Sequence, residues 1–187
     1  MRIMCVHGAW SSSVSFNHLS SLIKGEWIRC SYSPDESLSA IIDRLDQDCT
    51  QPAVIIGHSL GGVIALNLHD NPNVLGVVTM ASPLAGLQVN YVTSFLSRSG
   101  LIGDVASNSK IMRRTHARIY DKPVLHLVST KGFNPFVYEA NDGVVPLKSQ
   151  RDWSCGVVVD VDANHYEILQ HPDSIARIDQ FIRGVEA

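Results

Sequence analysis

Residues 55–62 read Ile55-Ile56-Gly57-His58-Ser59-Leu60-Gly61-Gly62, one hydroxyl set among small residues directly after an apolar run. A serine hydroxyl is a poor nucleophile until it is held clear of the backbone, beside a base and near donors aimed at a developing oxyanion. A sharp turn from strand into helix supplies that posture. Gly57 and Gly61, two before and two after the serine, relieve the crowding that such a turn imposes on its neighbours. The flanks agree: Ala53-Val54-Ile55-Ile56 reads as the strand and Val63-Ile64-Ala65-Leu66-Asn67-Leu68 as the helix. The plain alternative is a glycine-rich corner with an incidental serine, and the matching strand and helix weigh against it.

Outward from this corner, short β-branched runs alternate with helical patterns, which argues for a parallel sheet. Candidate strands are Ile3 to His7, Trp27 to Tyr32, Ala53 to Gly57, Val74 to Met80, Val124 to Ser129 and Val157 to Val161. Each is short and nearly continuous in apolar residues, as expected when helices cover both faces. Leu38, Ile41, Ile42, Leu45 and Cys49 recur at spacings of three and four, one face of a helix with Ser37 as its N-cap. Further helices are predicted from about Phe16 to Lys24, Leu60 to Asp70 and Ser174 to Arg183. The expected architecture is α/β and three-layered, one domain over residues 1–187 around a mainly parallel six-stranded sheet.

Composition sets the outer limits. A chain of 187 residues, 45% hydrophobic, buries a core without covalent staples. A net charge of −3 gives no global attraction to nucleic acid or an anionic membrane. Cys5, Cys30, Cys49 and Cys155 lie far apart with no CxxC spacing, so neither a zinc site nor a dense disulfide framework is indicated. The apolar run after Met1-Arg2 is too short for a secretory signal, and no stretch of about 18 apolar residues occurs, so a cytoplasmic protein without stable membrane insertion is expected. Nothing in the sequence fixes an oligomeric state.

The chain resembles the α/β-hydrolase family, and within it the small lipases and esterases. The resemblance is carried by GHSLGG, by the early strand ending His7-Gly8, by TMASPLAG, by NDGVVP, and by the late His165 followed by a helix. It covers nearly the whole length and implies a minimal sheet, since the His-Gly pair already stands at residue 7. Chain order in this fold is serine, then acid, then histidine. His165 lies just beyond the last candidate strand, where it can reach back to Ser59, whereas His171 sits before Pro172 and suits a helix start. Asp142, in the turn Asn141-Asp142-Gly143, is the chosen acid, with a plain turn-forming role as its alternative. Glu139, Asp160 and Asp162 are weaker candidates. The resemblance further implies an oxyanion hole from the amides of Leu60 and Ala9, with Trp10 either supplying that second donor or walling the acyl pocket.

The stretch at about 84–122 is too long for a simple crossover and is expected to form a helical cap. Within it Tyr91, Val92, Phe95, Leu96, Leu101, Ile102 and Val105 suit either a pocket lining or core packing. Its cations, Arg98, Lys110, Arg113, Arg114, Arg118 and Lys122, read as a solvated face or as a greeting for an anionic lipid or phosphate-bearing thioester. Phe133, Phe136 and Tyr138 are placed to shape a subsite near Asp142, Phe133 first among them, or to tether their loop. The expected chemistry is hydrolysis of a small-molecule or lipid ester through Ser59, His165 and Asp142, with no metal or cofactor. Thioester hydrolysis, acyl transfer, and a hydrolase-fold binding protein with little turnover are the alternatives.

Overall fold

A computed structural model describes residues 1–88, 100–153 and 155–186. Six strands, β1 (Arg2–Val6), β2 (Glu26–Cys30), β3 (Ala53–His58), β4 (Val74–Met80), β5 (Val124–Ser129) and β6 (Val157–Val161), form one sheet in the order β2-β1-β3-β4-β5-β6. Every neighbouring pair is parallel. The strands fall within a residue or two of the stretches expected from sequence.

Side-chain alternation along the strands splits the core in two. Met4, Val6 and Ile55 face a cluster with Ile41 and Leu45 of α2 (Leu38–Asp48), Val63 and Ile64 of α3 (Leu60–Asn67), and Met112. Ile3, Cys5, Val54 and Ile56 face the other, with Phe16, Leu19 of α1 (Asn17–Leu22), and Ile178 and Ile182 near the chain's end. The result is three layers, helix on sheet on helix. Ser37 caps α2 by accepting the Ala40 N–H at 3.2 Å.

Some boundaries differ from expectation. The first helical stretch opens as a 3₁₀ turn at Ser13–Phe16 and ends at Leu22. α3 stops at Asn67 because the Leu68 and His69 amides tighten onto Ala65 and Leu66, three residues back. After α4 (Gly100–Gly103), α5 (Lys110–Ala117) and α6 (Leu147–Arg151), the last helix, α7 (Pro172–Glu186), starts at its proline, whose missing N–H costs nothing there.

Within the expected cap, Leu101, Ile111 and Met112 pack into the first core cluster, and Asn67 of α3 donates to Thr115 of α5 at 2.7 Å. Tyr91, Val92, Phe95, Leu96 and Arg98 lie outside the described residues. Among the described residues, no helix is long and apolar enough to cross a membrane.

The strand order reverses between β1 and β3, since the chain leaves β1 toward β2 and returns to its other side. In such sheets, ligands bind in the crevice outside the carboxyl ends of the strands at this reversal. Gly8 and Ser59 meet there: a Cβ on Gly8 would stand 3.0 Å from the Ser59 Cβ.

Candidate active site

Ser59 alone makes the turn from β3 into α3, at φ 54° and ψ −122°. Positive φ costs a non-glycine residue about 1–3 kcal/mol and persists only where the surroundings hold it. Here the Ser59 N–H donates to the Met80 carbonyl at 2.8 Å, and the Ser59 carbonyl accepts from Gly62 at 3.0 Å. A Cβ on Gly57 would collide with the Gly61 carbonyl, and one on Gly61 with the Val6 carbonyl. The two glycines are therefore close-approach positions. Trp10 and Ala81, the other non-glycine residues at positive φ among those described, follow β1 and β4, so all three strained residues border the same edge of the sheet.

Asp142 and His165 come together behind that edge. The His165 Nδ1 stands 2.8 Å from Asp142 Oδ2, and the His165 N–H donates to the Asp142 carbonyl at 3.0 Å. Asp142 is buried, and its Oδ2 also accepts from the Ser129 hydroxyl at 2.5 Å and the Gln150 amide at 3.0 Å. Its Oδ1 accepts from the Val144 and Val145 amides at 2.9 and 2.6 Å. Burial alone would raise the carboxyl's pKa, but the bonds from His165, Ser129 and Val145 outweigh it and hold the group below its ordinary value. The carboxylate stays ionised, acceptor-only, and keeps the proton of His165 on Nδ1, leaving Nε2 with a free lone pair.

Ser129 and Gln150 were not singled out from sequence. Gln150 also accepts the Ser129 N–H at 3.0 Å, so the two residues brace one another beneath the carboxylate. Ser129 ends a strand as any small polar residue can, and Gln150 lies in a five-residue helix without apolar period, so neither carries a local signal.

Ser59 and His165 open onto one cavity of about 250 Å³. Pro83, Leu87, Val105, Val137, Val144 and Val145 give it an apolar wall, and no Asp, Glu, Lys or Arg lines it among the described residues. Ala9, Trp10 and Leu60 border it as well. Leu60 is the first residue of α3, so helix geometry leaves its N–H without an intrahelical acceptor. Trp10 is 55% exposed and stands at the mouth with Phe136 and Tyr166. Phe133 is not among the lining residues and is 82% exposed; from that loop Asn134, Phe136 and Val137 take the place.

His7 holds the loop over the site. Its Nδ1 lies 2.8 Å from the Gly8 carbonyl, its ring stacks on Tyr32 at 4.2 Å, and burial lowers its pKa. Of the insert's cations, Arg118 pairs with Asp70, and the Lys122 ammonium donates to the His69 and Asn71 carbonyls at 2.8 and 2.6 Å. Lys110, Arg113 and Arg114 are exposed. Among the described residues, no cluster of three or more His, Cys, Asp or Glu is placed to hold a metal ion.

A model of the alpha/beta hydrolase family matches residues 3–178. The mature form of Bacillus licheniformis lipase BlEst2 superposes with a TM-score of 0.71 at 16% identity, over 98% of this chain and 91% of that one. The lin2722 gene product of Listeria innocua gives 0.67 at 18%, over 97% and 93%, and Paleococcus ferrophilus monoacylglycerol lipase 0.64 at 18%, over 99% and 92%. No curated protein has a matching sequence. At such identities the structures speak for the fold alone, while the family model spans nearly the whole sequence: the chain belongs to the alpha/beta hydrolase family.

Proposed function

We propose that the protein is a serine hydrolase that cleaves carboxylic esters through Ser59, His165 and Asp142. The observation that carries this reading is the 2.8 Å contact between Asp142 and His165 behind a cavity that the strained Ser59 turn also borders. In the proposed cycle, His165 Nε2 takes the Ser59 proton as Oγ attacks the ester carbonyl. The oxyanion is received by the amides of Leu60 and Ala9, and His165 then protonates the departing alcohol. Water, deprotonated by the same imidazole, releases the acid and restores Ser59.

The segment at about 84–122 is read as the cap that shapes the acyl site, with Leu87 and Val105 supplying wall. Trp10 is read as a wall of that site. The uncharged lining favours a neutral ester over a phosphate-bearing thioester.

Labelling with a fluorophosphonate, followed by peptide mapping, tests nucleophile and oxyanion site together. The expected result is one adduct on Ser59, absent in Ser59→Ala, together with turnover of p-nitrophenyl esters that the same substitution abolishes. Label on another residue, or hydrolysis unchanged in Ser59→Ala, overturns the reading.

A further inference from the structure

His58, the last residue of β3, stands directly before the serine and is 2% exposed. Its Nε2 lies 2.7 Å from the main-chain carbonyl of His165, a residue 107 positions away. A carbonyl only accepts, so the ring's proton sits on Nε2 and Nδ1 is a bare lone pair. That Nδ1 is buried with no hydrogen-bond partner, packed where a Cβ on Gly8 would stand 3.3 Å from it. Burial first, and the nearby His165 ring second, push the pKa of His58 down to about 3, so the ring is neutral. The two imidazoles lie with centroids 4.8 Å apart.

A buried nitrogen without a partner is unfavourable, and an apolar side chain would avoid it. Such a side chain would strip the His165 carbonyl of its donor. The His165 N–H is already spoken for by the Asp142 carbonyl at 3.0 Å, so with His58 in place His165 is gripped at both its amide and its carbonyl. One grip comes from the acid's own loop and the other from the residue next to the nucleophile.

We infer that His58 is a positioning residue: its Nε2–H bond to the His165 carbonyl ties the Ser59 turn to the imidazole, so that base and nucleophile keep their register. The inference rests on the roles proposed above for Ser59 and His165. His58 takes no proton in the cycle. Its work is geometric, and a misplacement of about 1 Å at a reacting pair can cost about a hundredfold.

The test compares His58→Leu and His58→Gln, with Ser59→Ala alongside, by kcat and KM on a soluble p-nitrophenyl ester, by the rate of fluorophosphonate labelling, and by thermal midpoint. His58→Leu is expected to lower kcat about ten- to a hundredfold, slow labelling in proportion and leave KM nearly unchanged. His58→Gln, whose amide N–H reaches toward the same carbonyl, is expected to recover most of the loss. Full kcat in His58→Leu, or equal loss in both variants at an unchanged thermal midpoint, overturns the inference. Nitrogen-15 NMR of the wild-type imidazoles decides it independently of variant folding: an Nε2–H tautomer that does not titrate between about pH 5 and pH 8 is expected, and an Nδ1–H tautomer overturns it. Undiminished turnover in Ser59→Ala would instead remove the serine reading on which the inference stands, and leave the tautomer result intact.

Discussion

Two buried imidazoles, one on β5 and one in the loop after β6, look alike in composition and differ in what they can do. His126, on β5, has its Nδ1 2.8 Å from the Thr79 hydroxyl and its Nε2 3.5 Å from the Cys155 thiol. His165, after β6, has its Nδ1 2.8 Å from the Asp142 carboxylate and its ring on the cavity. Thr79 can donate or accept, so it offers no charge to balance an imidazolium, and burial pushes the pKa of His126 down to about 4. Burial likewise pushes the Cys155 thiol up to about 11. The thiol beside this imidazole therefore stays protonated near neutral pH, because burial outweighs the backbone hydrogen bond that would favour the thiolate, which is the reactive form. The difference is the carboxylate, held ionised by five hydrogen bonds on its two oxygens.

The largest expected effect tests that difference directly. Asp142→Asn keeps the shape and removes the charge, and is expected to lower kcat about ten-thousandfold by presenting the wrong tautomer of His165. Cys155→Ala, in the other cluster, is expected to leave kcat within about twofold. Both are read from initial rates on a p-nitrophenyl ester. A loss in Cys155→Ala as large as that in Asp142→Asn would dissolve the contrast between the two sites.

A smaller effect sharpens it. Gln150→Leu removes one donor from Asp142 Oδ2 and the brace on Ser129. A buried hydrogen bond to a charged group contributes about 1.5–3 kcal/mol, so a fall of about ten- to a hundredfold in kcat, with little change in KM, is expected. Unchanged kcat would mean that Ser129 and the two backbone amides suffice to hold the acid.

These two residues also show where sequence stops being informative. The strand-to-helix turn at Ser59 was legible because its glycines stand at fixed offsets beside it: Gly57 makes way for the Gly61 backbone within the turn, although Gly61 makes way for Val6 of the adjoining strand, which the sequence alone does not place there. The four inner strands were legible because both faces are buried, which leaves continuous apolar runs, whereas the edge strands β2 and β6 are largely exposed and show only in their β-branched and aromatic residues. His165 and Asp142 were picked out by order along the chain and by turn composition. Gln150 and His58 owe their roles to partners such as Ser129, 21 positions distant, and His165, 107 distant, and no spacing encodes such pairings. Phe133 is the aromatic of this loop named for the pocket, yet in an irregular loop the direction of each ring is set by turns around Asn134 that the sequence does not specify.

The smallest effect concerns stability rather than rate, and it separates burial from function. His126 has a folded-state pKa of about 4 against an ordinary 6.5. As pH falls below about 6.5 the unfolded chain binds a proton there and the folded protein does not, so stability is present above that value and is lost down to about pH 4. Between pH 7 and pH 5.5 this one group is expected to cost about 1 kcal/mol. His126→Gln cannot titrate, while His7 and His58, also depressed by burial, remain in both proteins. Denaturant unfolding at the two pH values should therefore show a shallower loss in the variant, by about that amount, with kcat at pH 7 within about twofold of wild type. Equal losses in the two proteins would mean that His126 is protonated in the folded state at pH 5.5. The hydroxyl and thiol around it would then support an imidazolium after all, and the absence of a carboxylate would no longer explain why this cluster is silent.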